Sequence, residues 1–150
     1  MASIQTTRFG VLEVEQGSIL QFPQGLPGFE NDRRFVLVEQ AELAPVACLQ
    51  SLDSPGLCLW VAPVRAIAPG YRMGITPEDL LLLGLDQARQ PLPGEEVLCM
   101  AILCAPENGP LTANLLAPVV VNLETRTAVQ AVRVDNQYSC QHLLGTGGEC

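Results

Sequence analysis

The side chains able to carry out chemistry are few in this chain of 150 residues, and they stand apart from one another. All eight basic residues are arginine, which excludes a phosphate-binding Walker lysine and lysine-based catalysis. The one histidine, His142, has no partner at metal-ligand spacing. Ser18 and Ser51 lie outside any Gly-x-Ser-x-Gly elbow, and the neighbouring Glu95 and Glu96 would diverge on a strand. These residues therefore give no support for lysine-based or hydrolase chemistry, and we expect no metal and no cofactor.

Six cysteines raise the question of disulfide bonds or a metal site. Cys99 and Cys104 are an odd number of residues apart on one apolar segment, so on a strand they would point to opposite faces. Cys140 and Cys150 could meet only through the glycine-rich end of the chain. Neither pair therefore predicts a bond or a shared metal.

The remaining two cysteines, Cys48 and Cys58, flank the turn signal Asp-Ser-Pro-Gly at residues 53–56. If this turn pairs Leu52 with Leu57, the two thiols fall on opposite faces of the hairpin. We therefore predict that all the cysteines are reduced and that none binds zinc.

Charge and hydropathy exclude several classes of function. With a formal net charge of -8, the chain lacks the cationic surface that a nucleic-acid binder uses to displace counterions, which predicts no direct nucleic-acid binding. The longest apolar stretch, residues 97–105, is far shorter than the roughly 20 residues of a membrane-spanning helix, which predicts no membrane insertion. The first residues show no cationic region followed by an apolar block, so we expect no secretory signal and a cytoplasmic location.

Short apolar segments with alternating or β-branched residues recur between turn signals, and they predict a chain that is mainly β. The short connections between them favour antiparallel pairing. We therefore predict one small antiparallel β-barrel-like domain over residues 1–144, followed by a flexible glycine-rich tail over residues 145–150. The predicted strands cover residues 11–15, 19–22, 35–38, 46–52, 57–62, 71–75, 97–105, 119–123 and 128–134.

One short α-helix interrupts this pattern. Thr76 offers an N-cap oxygen, Pro77 suits the first helical position, and Glu78 and Asp79 place negative charge at the positive end of the helix dipole. We expect the leucines at 80–83 to seal an open end of the barrel. A protruding leucine would instead form an interaction surface.

Two connecting segments are more apolar than a solvent-exposed loop requires. Residues 22–30 place two phenylalanines and a leucine around two Pro/Gly turns, and this segment either folds back on the core or contacts a partner. Residues 112–118 form a loop that carries amides among apolar residues. We expect Asn114 and Asn122 to hydrogen-bond the loop backbone, with a binding role as the alternative.

Five segments form an ordered set along nearly the whole chain. They are Phe-Gly at 9–10, Gly-Leu-Pro-Gly-Phe at 25–29, Leu-Gln-Ser at 49–51, the helix at 76–85, and Ala-Asn-Leu-Leu-Ala-Pro-Val-Val-Val-Asn at 113–122. This set resembles the bacterial flagellar assembly factor FliW family. The resemblance implies a small barrel-like β fold and no enzymatic activity.

The resemblance also implies protein partners. FliW-like proteins bind the RNA-binding translational repressor CsrA, which relieves repression of flagellin messenger RNA, and they bind flagellin itself in a partner switch. The motif segments then supply the candidate protein-binding residues, which are Pro27, Gly28, Phe29, Gln50, Asn114, Pro118 and Asn122.

A second function is a small β-barrel that binds a small molecule or catalyses a reaction in its mouth. It predicts an open cavity with inward-facing Glu or Arg side chains. The binding protein predicts instead a filled barrel and an apolar surface patch with a polar rim.

Overall fold

The computed structural model describes residues 2–105, 107 and 109–144. In this part of the chain, α1 spans Val64–Ile67 and α2 spans Pro77–Leu82, with 3-10 turns at Gln16–Ser18 and Ala41–Leu43. The strands are β1 (Ala2–Thr6), β2 (Gly10–Val14), β3 (Leu20–Gln21), β4 (Arg34–Glu39), β5 (Ala47–Ser51), β6 (Cys58–Pro63), β7 (Val97–Cys104), β8 (Thr112–Asn122), β9 (Ala128–Gln130) and β10 (His142–Leu143).

The main sheet is antiparallel, in the order β10-β8-β7-β6-β5-β4-β3, and β9 also pairs with β8. Its two ends approach each other where Gln21 N donates a hydrogen bond to Arg126 O over 2.9 Å and bridges to Thr127, next to β9. The sheet therefore nearly closes on itself, which confirms the prediction of a mainly β, barrel-like domain. β1 and β2 form a separate hairpin.

Alternate residues of the central strands feed two apolar clusters, as the period of two along a strand requires. One cluster draws on all the barrel strands from β3 to β9 and fills the barrel; its largest members include Phe22, Phe35, Leu49, Met100 and Val119. The other cluster lies on the outer face of β7 and β8, where both helices and Tyr71 cover it; its members include Val64, Leu80, Leu83, Cys99 and Leu115.

The predicted helix is confirmed at α2. Thr76 Oγ1 accepts a hydrogen bond from Asp79 N over 3.3 Å, and Pro77 occupies the first turn. Leu80 and Leu83 pack in the outer cluster, so the expectation that these leucines seal an end of the barrel is wrong. Within the described residues, no helix is long and apolar enough to span a membrane.

Two predicted elements differ in the structure. Residues 71–75 form no strand. At Ile75 the Gln90 side chain takes the place of a neighbouring strand: Ile75 N donates to Gln90 Oε1, and Gln90 Nε2 donates to Ile75 O. Residues 112–118 belong to β8 and are not a free loop. The predicted tail at 145–150, with Cys150, lies outside the described residues, so the boundary at residue 144 stays a prediction.

The prediction that Cys48 and Cys58 are reduced is wrong, because the structure joins them in a disulfide. The hairpin pairs Gln50 with Cys58 and Cys48 with Trp60, one residue away from the register that the sequence suggested. A shift of one residue moves a side chain to the other face, so both cysteines share a face as diagonal neighbours. Cys99, Cys104 and Cys140 are free.

Candidate functional site

The apolar segment at residues 22–30 closes on itself in a tight turn. Leu26 and Phe29 exchange backbone hydrogen bonds, with Phe29 N donating to Leu26 O over 2.7 Å. Pro27 and Gly28 occupy the central positions, and Gly28 has the positive φ of 87° that a type II turn needs there. The turn buries Leu26 in the barrel core and leaves Phe29 42% exposed.

The base of this turn depends on a glycine without space for a side chain. Gly25 has φ +65°, and a Cβ at this position would lie 2.6 Å from Glu30 O and 2.7 Å from Phe29 O. At the tip, Gly28 N donates to Glu30 Oε2 over 3.0 Å, and this hydrogen bond lowers the pKa of the Glu30 carboxyl. The backbone therefore fixes the position of Phe29.

A large bulge in β8 faces this turn. Ile102 of β7 pairs with Asn114 and Met100 with Val119, so residues 115–118 stand opposite Ala101 alone. Asn114 Oδ1 accepts hydrogen bonds from Leu116 N over 3.1 Å and Ala117 N over 2.9 Å. This side-chain turn stabilises the bulge, as expected for an Asn beside irregular backbone.

The turn and the bulge enclose an open groove of about 420 Å³ at the mouth of the barrel, which we call the mouth groove. It brings together three of the candidate residues, Pro27, Phe29 and Asn114. Val132, which is 49% exposed, lies on the same groove. The remaining lining residues are Leu26, Leu59, Ile102, Ala117 and Gln130.

The two amide side chains in the lining of the mouth groove each use one polar atom in hydrogen bonds to the protein backbone. Asn114 bonds the bulge backbone, and Gln130 Nε2 donates to Ala117 O over 3.0 Å. No Glu or Arg of the described residues lines this groove. Carboxyl groups occur instead in an adjoining depression, where Asp79, whose pKa is raised by burial, and Glu30 lie. The mouth groove is therefore suited to apolar contact with another molecule.

Three further candidates are buried. Gln50 is 0% exposed and its Nε2 donates to Ser51 O and Pro55 O; no partner for its Oε1 lies within the described residues. Asn122 Nδ2 donates to Leu83 O over 2.8 Å, and its Oδ1 accepts from Glu124 N over 2.9 Å. Pro118 is buried in the bulge. Gln50 and Asn122 thus hydrogen-bond the backbone within the protein and Pro118 is buried, whereas Gly28 is exposed at the turn.

A polar cluster that the sequence did not predict lies behind the bulge. We call it the Arg133 cluster, and its members are Arg133, Tyr71, Tyr138 and Asp135. The buried Arg133 donates to both carboxylate oxygens of Asp135, to Tyr71 Oη over 3.1 Å and to Arg72 O. Its Cζ lies 4.7 Å from the centre of the Tyr138 ring. Tyr71 Oη donates to Leu115 O over 3.0 Å, so the cluster holds the bulge from the side opposite the mouth groove. Burial raises the pKa of Tyr71.

Together, the nearly closed barrel and the groove at its mouth define a small β-barrel protein with an apolar groove on its surface. A family model described as FliW protein matches residues 3–144. The flagellar assembly factor FliW of Geotalea uraniireducens is 35% identical over 139 residues, which cover 93% of this chain and 82% of that protein. The flagellar assembly factor FliW of Bacillus velezensis is 34% identical over 148 residues, covering 98% and 99%.

The fold agrees with these sequence matches. A crystal structure of the flagellar assembly factor FliW superposes with a TM-score of 0.80 and 30% sequence identity, over 96% of this chain and 97% of that chain. The chain belongs to the FliW family of flagellar assembly factors. The resemblance drawn from the sequence motifs is thereby confirmed.

Proposed function

We propose that this protein acts without catalysis, as a binding partner of the translational regulator CsrA and of flagellin, and that the mouth groove is a docking surface for such partners. Binding to CsrA would relieve repression of flagellin messenger RNA, and flagellin would compete for the free protein. The observation that supports this proposal most directly is the preformed groove, which exposes Phe29 and Val132 and has no charged side chain in its described lining. Exposed aromatic anchors beside apolar pockets carry much of the energy of protein interfaces.

The charge of the chain suits such a partner. CsrA binds RNA and so must present basic surface, and a protein of net charge -8 would be attracted to it and would repel phosphate. By linkage, RNA and this protein would weaken each other's binding to CsrA by the same factor. Antagonism would then need no shared site and no direct contact with nucleic acid. The same role implies a cytoplasmic location, where messenger RNA is translated.

The test is a calorimetric titration of the protein into CsrA, with and without a flagellin-leader RNA bound, and a matching titration into flagellin. We expect saturable binding to both proteins and release of the RNA. Absence of binding to both CsrA and flagellin would contradict the proposed function.

Two variants then test whether the mouth groove is the docking surface. Phe29→Ala removes the exposed aromatic ring and is expected to weaken binding at least tenfold, about 1.4 kcal/mol. Leu92→Ala is the matched control, since Leu92 is 52% exposed but does not line the groove. Equal affinities for the two variants would move the docking surface elsewhere on the protein.

The alternative, a ligand-binding or catalytic barrel mouth, has weaker support. The barrel interior is filled by the inner apolar cluster, which includes Phe22, Phe35 and Met100. The described lining of the mouth groove offers only two amide side chains, and each already uses one polar atom in a hydrogen bond to the backbone. A specific small-molecule site would need free polar groups that converge on the ligand.

A further inference from the structure

A second apolar groove lies on the opposite face of the strands that line the mouth groove. Leu59 and Ile102 line the mouth groove, whereas their neighbours Trp60 and Leu103 line this second one. Successive residues of a strand point to opposite faces, so the two grooves are separated by the thickness of the barrel wall. The second groove, here called the Trp60 groove, is lined by Leu43, Val46, Trp60, Leu103, Ala105 and Leu111.

The Trp60 groove is small, about 270 Å³, and all six side chains that line it are apolar. Pockets that enclose a drug-sized ligand usually measure roughly 300–1,000 Å³ and present a few free polar groups. Leu43 and Leu111 are 40% and 39% exposed, so apolar surface remains open to solvent at this site. The size and lining suit apolar side chains of a docking protein segment better than a small molecule.

A cation stands beside this groove. The Cζ atom of Arg8 lies 4.9 Å from the centre of the Trp60 ring. The turn that carries Arg8 is fixed on both sides: Thr7 N donates to Pro55 O over 3.0 Å, and Phe9 N donates to Thr6 Oγ1 over 2.8 Å. These bonds fix the backbone on either side of Arg8, whose guanidinium lies over the indole.

Arg8 differs from the arginines that neutralise carboxylates within the fold. Within the described residues, ion pairs engage Arg34, Arg89 and Arg133, and none engages the exposed Arg8. In a chain of net charge -8, this cation over Trp60 offers a carboxylate a partner at the edge of the apolar groove. An arginine fork pairs well with a carboxylate, in a charge-assisted hydrogen bond.

We propose that the Trp60 groove is a second docking surface, which binds a protein segment whose apolar side chains are followed by a carboxylate. The apolar side chains would enter the groove and the carboxylate would pair with Arg8. This surface shares no lining residue with the mouth groove, so the proposal does not depend on the function proposed above.

The single tryptophan of the chain lines this groove, so its fluorescence reports occupancy directly. The probe is a synthetic helical peptide with leucines three and four residues apart and two aspartates at one end, compared with the same peptide carrying asparagines. We expect a saturable change in Trp60 emission with the aspartate peptide and at least fivefold weaker binding of the asparagine peptide. No saturable change, or equal affinity for both peptides, would overturn the proposal.

Charge variants locate the carboxylate. Arg8→Gln is expected to abolish the preference for aspartate over asparagine, and Arg8→Lys is expected to retain part of it. Arg65→Gln makes the same charge change on the exposed first turn of α1 and is expected to keep the full preference. A preference that survives in Arg8→Gln would contradict the assigned role of Arg8.

Lining variants separate the two surfaces. Leu111→Ser removes an exposed apolar side chain from the Trp60 groove and is expected to weaken binding of the aspartate peptide at least threefold, with an unchanged circular dichroism spectrum. Phe29→Ala, in the mouth groove, is expected to bind the peptide like the wild type. The two grooves share no lining residue. A negative peptide titration would therefore overturn the Trp60 groove proposal alone, and negative CsrA and flagellin titrations would overturn the proposed function alone.

Discussion

The bulge of β8 has two sides that are built in different ways. On the groove side, Asn114 and Ala117 line the mouth groove, whose solvent-exposed apolar surface comes from Phe29 and Val132. On the opposite side, the Arg133 cluster holds the bulge through buried hydrogen bonds, from Tyr71 Oη to Leu115 O and from Arg133 N to Leu116 O. One segment of chain therefore separates the open mouth groove from a buried polar cluster.

The segment that begins at the last residue of β9 shows how the separation arises. Gln130 and Val132 line the mouth groove, whereas Ala131 and Arg133 are buried on the other side. The period of two along an extended chain sorts these residues to opposite faces. The groove side can therefore remain open to solvent, because hydrogen bonds and packing on the other side hold the bulge.

The largest expected effect is on the buried side. Arg133→Met removes hydrogen bonds to Asp135, Tyr71 and Arg72 O and the contacts with both tyrosine rings, so we expect a loss of about 3 kcal/mol in the free energy of unfolding. Urea denaturation measures it. The control Arg65→Met, at an exposed arginine, is expected to stay within about 0.5 kcal/mol of the wild type. Equal losses of unfolding free energy in Arg133→Met and Arg65→Met would show that the Arg133 cluster does not stabilise the bulge side of the fold.

The next largest effect is expected from substitution of the glycines in the turn at residues 25–29, where the backbone has a positive φ. In Gly25→Ala, the new methyl group would meet Glu30 O and Phe29 O at a positive φ, so we expect a loss of about 2–3 kcal/mol. Gly28→Ala has a positive φ but nothing within 4 Å, and is expected to cost only about 1 kcal/mol. Thermal unfolding of the two variants compares them. A smaller loss in Gly25→Ala than in Gly28→Ala would show that the turn can shift.

Local signals predicted the parts of this fold that depend on nearby residues. The turn at Pro27 and Gly28 and the N-cap at Thr76 each follow from residue types within four positions. The disulfide between Cys48 and Cys58 was missed because its prediction depended on hairpin register, and an error of one residue reversed the result.

The Arg133 cluster was missed for a different reason. Its hydrogen bond from Arg133 to Tyr71 joins residues that are 62 positions apart, and no local pattern marks such a pair. The candidate site was predicted in part, since Pro27, Phe29 and Asn114 come from separate motifs and share one groove. The burial of Gln50 and Asn122 depends on the packing of other elements over them, which their own segments do not encode.

Two asparagines of β8 offer a closer comparison. Asn122 is buried and bonds Leu83 O and the backbone of the next turn, so Asn122→Ala is expected to lower the free energy of unfolding by about 2 kcal/mol. Asn114 is half-buried, and Asn114→Ala is expected to cost about 1 kcal/mol and to weaken CsrA binding as well, because the bulge beside the mouth groove loosens. Measuring the free energy of unfolding and the calorimetric affinity for CsrA on both variants separates an effect on stability from an effect on binding. Weaker binding in Asn122→Ala alone would reverse the assignment.

The smallest expected effect is a dependence on pH that both sides share. The hydrogen bonds from Arg133 hold the pKa of Asp135 below its ordinary value of 3.8, and Gly28 N–H holds that of Glu30 below 4.5. A carboxyl group with a lowered pKa in the folded state stabilises the fold above its ordinary pKa, and this contribution is lost as the pH falls through the folded value. Asp135→Asn and Glu30→Gln should therefore be less stable than the wild type at pH 7 and approach it as the pH falls below the ordinary pKa values of these carboxyl groups. Urea denaturation across this range measures the difference, which should be larger for Asp135→Asn because its partner is a buried cation. A difference that persists unchanged at low pH would mean that the charge of these carboxylates does not stabilise either side of the bulge.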